Sequence, residues 1–499
     1  MFHLFRIKKA GPLYLTLVTA AVLFACTQSQ KNLPSQNVVA QVEDERITLG
    51  QLRIAYSLDP AFPSYKKGRK GLHEYVTELL DKILAAKRAQ QEGLDRRNPF
   101  ARELNYKRRE AAIRQFYVSK VKNAIRVSES ELRNAFAKMS RRLQVKHLFF
   151  SSEQEARRVY KELEAGADFD SLAMRIFPEY DPKTGRPANL GLVNWGELEE
   201  PLEQAAWALS PGRVSQPVQS RFGFHLLKVE AAYYNFIPNE TVFASMGSQI
   251  KKKLLRRKER QAAGAYLKKL LEPLDIRVKS GTFLIVAEKL GLDSEARNRH
   301  TFTERYLTDD YLDILANLND KLLQRSFMES YDQNWTVGDF VQRLEILPPE
   351  KRPRISSINR FKEDVGRMIR DDFLFEMAVQ HNYHQTAYAD SVVLAYLRER
   401  AYNYYLEKAY KTFVLPSDVE EYYKQTGNTR SSAAKPSSVL PGMISPDHYK
   451  LYYAARELHA DLLQHNPQLQ IILNDSLITA EAKRIEWEHP IRMFVPARF

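Results

Sequence analysis

Two of the 11 histidines sit inside apolar runs, where an imidazole is most readily used for structure or chemistry. His147 lies in the middle of the alternating stretch 143–151 (LQVKHLFFS), and His225 opens His225-Leu226-Leu227-Lys228-Val229. A histidine on a strand is often a hydrogen-bonded core side chain, and position alone leaves that alternative open beside a role in a site. Asp181 is followed by Pro182, an ordinary turn pair, inside the loop 178–189 rich in Pro, Asp, Lys and Gly. Ser220 precedes the second histidine by five residues. There is no Gly-rich phosphate loop, no set of His and Cys at metal-ligand spacing, and no Ser-His-Asp context. No metal and no cofactor is therefore expected. Cys26 is the only cysteine, so no internal disulfide can form.

The elements that would carry these residues follow a β–α pattern over residues 139–233. After the strand containing His147, a helix is expected from Glu153 to Ala165, with Ala156, Val159, Tyr160 and Leu163 on one face. Gly166-Ala167-Asp168-Phe169 ends it and begins another. Val214–Val218 and His225–Val229 read as two short strands joined by Arg221-Phe222-Gly223. The expected order is β-α-α-(α)-β-β.

This segment resembles the parvulin family of peptidyl-prolyl isomerases along its whole length. The landmarks occur in order: the histidine of VKHLFF, GADFDSLA, Leu190-Gly191, Trp195-Gly196, EQAAWAL at 203–209, Pro211-Gly212-Arg213-Val214-Ser215, and FGFHLLKV at 222–229. The resemblance implies that His147 and His225 are the two active-site histidines. Asp181, nine residues before Leu190, takes the family's Cys/Asp position. It implies a proline pocket of Leu190, Leu198, Leu202 and Phe222, with the Ser220 hydroxyl near the second histidine. Leu198 and Leu202, read as one helical turn apart, also suit a plain core. Two positions depart from the family: Pro187-Ala188-Asn189 replaces Gly-Gly-Asp, and Leu202 stands where a Phe is usual. No nucleophile is required. Rotation about a peptide bond costs about 18–20 kcal/mol because resonance is lost, so a catalyst need only bind the twisted amide better than the planar one.

The flanks are helical and repeat. Ile47-Thr48-Leu49-Gly50-Gln51-Leu52 matches Trp335-Thr336-Val337-Gly338-Asp339-Phe340; Val76, Leu80, Leu84 and Ala89 match Val365, Ile369, Phe373 and Ala378; Val127, Ser130, Leu132 and Phe136 match Val414, Ser417, Val419 and Tyr423. Three ordered blocks in nearly one register point to an internal duplication. The fold class expected is α+β: a parvulin-like small-sheet domain flanked by two mostly helical modules that resemble the chaperone region of SurA-like proteins.

Basic residues Arg6, Lys8 and Lys9 and the apolar stretch Leu13–Ala25 read as a signal peptide, too short for a bilayer span. Leu23-Phe24-Ala25-Cys26 resembles the lipobox of bacterial lipoproteins, which implies lipidation at Cys26; cleavage without lipidation is the plainer alternative. The expected plan is 1–25 signal peptide, 26–37 lipidated tether, 38–138 first helical module, 139–233 isomerase domain, 234–330 basic return helix and connector, 331–425 second helical module, and 426–499 Ser/Pro loop and tail, helical to Leu463 and then irregular. Of the net charge of +14, three units belong to the signal peptide. Nine Lys and Arg against one Glu fall between Lys251 and Lys269, either the solvated face of a long helix or a surface for anionic lipid or acidic clients. Export argues against nucleic acid. Together with the SurA/PrsA-like resemblance, this implies a prolyl isomerase and ATP-independent chaperone in the cell envelope. It faces the periplasm, with unfolded exported polypeptides exposing proline as partners. Thr27 after Cys26 points to the outer membrane. The alternative is a non-catalytic holdase whose parvulin-like domain only binds extended chain.

Overall fold

Short β-branched runs next to turn residues make strands here, and long runs with apolar residues at three- and four-residue spacing make helices. The computed structural model describes residues 37–58, 68–292, 305–426, 436–439 and 445–488; the signal peptide expected at 1–25 and the lipidation expected at Cys26 lie outside them. The chain divides into two compact units. One contains residues up to 111, 344–352 and from 384 onward, the other 112–343 and 353–383. No helix among the described residues is long and apolar enough to cross a membrane.

Val38–Val42 (β1) and Glu45–Thr48 (β2) form an antiparallel hairpin, with Glu43 in the left-handed region at its turn (φ 50°). Leu49–Leu58 (α1) starts on a reciprocal cap in which Thr48 Oγ1 accepts from the Gln51 N–H and Gln51 Oε1 accepts from the Thr48 N–H. Gly68–Gln91 (α2) buries Leu72, Val76, Leu80, Ile83 and Leu84, and left-handed Gly93 (φ 67°) follows its end, as its sequence position suggests. Phe100–Lys120 (α3) and Glu129–Met139 (α4) follow, the latter opened by a capping box of Ser128 and Glu131.

The next segment is a four-stranded antiparallel sheet between helices. It comprises Arg141–Phe150 (β3), Glu153–Glu164 (α5), Phe169–Ile176 (α6), Asn189–Asn194 (β4), Glu200–Ala208 (α7), Val218–Gln219 (β5) and Phe224–Tyr234 (β6), with sheet order β4-β3-β6-β5. Three details correct the sequence reading. β4 was not anticipated: its Asn- and Gly-containing run carries no β-branched alternation, and pairing with β3 makes it a strand. The strand expected at Val214–Val218 is a lone bridge from Val214 to Lys228 plus the two residues of β5, because Pro217 offers no N–H to the ladder. Leu198 lies in the bend before α7 and is not a helical turn from Leu202. Alternation along β3 and β6 sends Leu148, Phe150 and Leu226 against α5 and α6, and Leu143, Val145, Leu227 and Val229 to the other face, against α7, α4 and the following helix.

Glu240–Leu271 (α8) is the basic helix, capped by Asn239. Arg277–Val278 (β7), Ser280–Lys289 (α9), Asp309–Ala316 (α10) and Asp320–Leu323 (α11) lead to Ser326–Glu329 (β8) and Asn334–Thr336 (β9), a second hairpin. Val337–Glu345 (α12), Ile358–Gln380 (α13), Ala387–Thr412 (α14) and Ser417–Thr426 (α15) come next. The tail departs from expectation beyond its first helix. After Pro446–Gln464 (α16), the run Ile471–Leu473 (β10) is a strand on the open edge of β1, and Asp475–Glu488 (α17) follows. Three residues are too few to read as a strand alone; the unpaired edge of β1 supplies the partner. The sheets are therefore β10-β1-β2 and β7-β8-β9.

Candidate active site

β3 and β6 run antiparallel with Phe149 opposite His225 and Leu227 opposite His147, so the two histidines are diagonal neighbours on one face of the sheet. Their Nδ1 atoms lie 3.3 Å apart and the rings are stacked at 5.6 Å with an interplanar angle of 18°. His147 Nε2 is 3.3 Å from the Pro187 carbonyl oxygen, and His225 Nε2 is 2.8 Å from Ser220 Oγ.

The direction of this chain follows from one fixed end. A carbonyl only accepts, so His147 Nε2 carries the hydrogen and donates to Pro187. In a neutral ring the other nitrogen must accept, so His225 donates from Nδ1 to His147. His225 Nε2 then accepts from the Ser220 hydroxyl, for which the Gly223 carbonyl at 3.3 Å is the longer alternative acceptor, and the hydroxyl oxygen accepts the Phe222 N–H at 3.1 Å. Neutrality of both rings has a physical cause. Burial, followed by the neighbouring His225 and against the weaker pull of the Pro187 carbonyl, lowers the His147 pKa to about 4. Burial likewise lowers that of His225, partly offset by the Glu199 carboxylate.

Gly223 makes the turn between β5 and β6 possible. Its φ is +148°, and a Cβ there would meet the Phe150 carbonyl oxygen at 2.5 Å and the Phe149 ring at 2.9 Å. No side chain fits without moving the backbone that carries both histidines. Leu190 is the residue skipped in the β3–β4 register, the bulge that brings Ala188 onto the His147 N–H at 2.8 Å.

Among the residues expected from sequence, the structure brings His147, His225 and Ser220 into one hydrogen-bonded chain. Leu190, Leu198 and Leu202 belong to the apolar cluster on the same face of the sheet. Phe222 stands out from the surface, 67% exposed, on the turn beside Ser220. Asp181 is held elsewhere: its carboxylate accepts from the Lys183 N–H at 2.9 Å and the Thr184 hydroxyl at 2.7 Å, closing its own turn, and these contacts lower its pKa. Three participants were missed. The Pro187 carbonyl is backbone and has no sequence signal. Phe149, its ring 5.2 Å from that of His225, was legible as the next same-face residue after His147. Glu199, which accepts the Arg221 N–H at 3.2 Å, precedes α7 in a run of acids that gives no hint of its neighbour.

Residues 150–231 match the Rotamase family, described as a PPIC-type PPIASE domain. The chain thus carries a parvulin-type prolyl isomerase domain, as the motifs at 139–233 implied. Foldase protein PrsA of Geobacillus kaustophilus is 32% identical over 108 residues, 21% of this chain and 37% of that one. Foldase protein PrsA of Caldanaerobacter subterraneus subsp. tengcongensis is 25% identical over 253 residues, 44% of this chain and 81% of that one. The chain thus spans about a third of the first relative and most of the second. A solved structure of a SurA-like chaperone from Campylobacter jejuni is similar over 48% of this chain and 100% of its own, at 21% identity and a TM-score of 0.20.

Proposed function

We propose that this protein is a prolyl cis/trans isomerase and ATP-independent chaperone for exported polypeptides, tethered to the envelope, at the outer membrane, through a lipid on Cys26. The observation that carries the isomerase reading is the hydrogen-bonded chain Ser220–His225–His147–Pro187 on an apolar sheet face inside a PPIC-type domain. A twisting amide loses resonance and its nitrogen becomes a better acceptor. An apolar face holding the proline ring, with fixed dipoles beside it, binds that form without solvent reorganisation. Leu190, Leu198, Leu202 and Phe222 supply the apolar face in this reading. The histidines and Ser220 supply the dipoles, and Asp181 shapes the loop that presents Pro187.

The holdase alternative has its own support: Asp181 is engaged in its turn rather than with the histidines, and Leu202 stands where the family has an aromatic side chain. The two readings part in a pair of assays on the full chain. His225→Ala should lower prolyl isomerisation about tenfold or more through turnover rather than peptide affinity, since the dipoles act on the twisted state. Suppression of client aggregation should be unchanged. A wild-type chain that suppresses aggregation but does not accelerate isomerisation would establish the holdase.

A further inference from the structure

The stretches 38–139 and 326–426 agree in detail. Both hairpins carry the same bulge: Val38 faces Thr48 and Ala40 faces Ile47, while Ser326 faces Thr336 and Met328 faces Trp335. Both hand over to a helix through a reciprocal threonine cap, Thr48 with Gln51 and Thr336 with Asp339. Gly93 (φ 67°) after α2 and Asn382 (φ 57°) after α13 are both left-handed, and each precedes a single 3-10 turn, Leu94–Arg96 or Tyr383–Gln385. The agreement extends past the insertion point. α8 and α16 are capped by Asn239 and Ser445, and each leads to a short strand and a helix, β7–α9 or β10–α17.

The pairing, however, is crossed. β10 closes the first hairpin, with Ala40 opposite Leu473 and Gln41 opposite Ile472. β7 closes the second in the same register, with Met328 opposite Val278 and Glu329 opposite Arg277. The helices follow suit. Leu80 and Leu84 of α2 share a core with Leu397 of α14, Leu458 of α16 and Ile478 of α17. In the other unit, Phe116 of α3 shares one with Ala378 of α13 and Tyr266 of α8. Each core is built from the front of one repeat and the back of the other.

We infer that the chain is two copies of one module, residues 37–292 and 305–488, which have exchanged their closing strand–helix pairs. The surface that each hairpin presents at its open edge is made for the tail of a second copy, and in this chain the other repeat supplies it. Neither repeat closes its own sheet, and one isomerase domain serves the pair.

Hydrogen–deuterium exchange on the full chain tests the crossing. Truncation before Ile471 removes β10 and α17 and should speed exchange at 38–48 by about tenfold or more while leaving 326–336 as protected as before. Val278→Pro should do the reverse, exposing 326–329 and sparing 38–42. Protection that survives at 38–48 without β10, or loss that appears at 326–336 instead, overturns the exchange. If the truncated chain does not fold, a protease site placed within 293–304 of the otherwise intact chain decides. Nicked halves that co-elute at native mass and part only in denaturant support the crossing; halves that part as two folded proteins overturn it.

Discussion

After α4 the chain inserts a whole sheet domain before α8; after α15, at the matching point, it runs through a Ser- and Pro-rich stretch to α16. The two junctions solve one problem differently. At the first, Phe136 of α4 packs on Phe236 and Phe243 at 5.4 and 5.2 Å, and the domain's own Trp195, Leu202 and Trp207 continue the same cluster. At the second, Val419, Val439 and Tyr449 are buried together, with Phe413, Tyr423 and Tyr453 around them. An apolar helix corner that closes on itself needs no domain, and the first junction has become the anchor of one. Three of the cations of α8 follow from that difference. Lys253 and Arg257 lie over the Trp195 ring, each at 4.9 Å, Arg257 pairs with the buried Glu203, and Lys258 pairs with Glu131 of α4. Lys253 and Arg257 hold the isomerase domain, and Lys258 ties α8 to α4; α16, with no domain to hold, lacks such a run.

The comparison breaks most visibly at Phe136. Phe136→Ala removes a buried ring shared by helix and domain and should cost about 3–5 kcal/mol, while Tyr423→Ala, at the matching but half-buried position, should cost less than half as much. Denaturant-dependent hydrogen exchange at 141–150 and 446–464 measures the two separately.

A smaller effect should appear with pH, and only at the first junction's domain. The folded His147 pKa of about 4 lies below the ordinary 6.5, so the unfolded chain takes up a proton first as pH falls. Stability from this group is complete above pH 6.5, declines between 6.5 and 4 by no more than about 1.4 kcal/mol per pH unit, and is level below. Exchange protection of β3 should follow that curve, and His147→Gln should make it shallower, leaving the smaller slope of the same sign that His225 contributes. A wild-type slope of the opposite sign would mean the ring is charged in the folded state.

Much of this was legible in the sequence, and what was not has a common cause. The long helices flanking the sheet domain and the strand carrying His147 are strongly patterned, so local periodicity sufficed. β4 and β10 are short, or poor in β-branched residues, and are strands only because β3 and β1 offer edges far away in sequence. The same holds in the site. His147, His225 and Ser220 are side chains within recognisable motifs, whereas the Pro187 carbonyl that orients the chain is backbone; the turn at Asp181-Pro182 was readable, but not its closure by Thr184.

The most direct test of the division of labour is to give the first junction the form of the second, by replacing residues 141–236 with residues 427–444 in the full chain. The variant should keep the circular dichroism of its helices, lose prolyl isomerisation entirely, and still suppress client aggregation. Isomerisation that persists without the sheet domain, or aggregation suppression that disappears in a folded variant, would contradict the account.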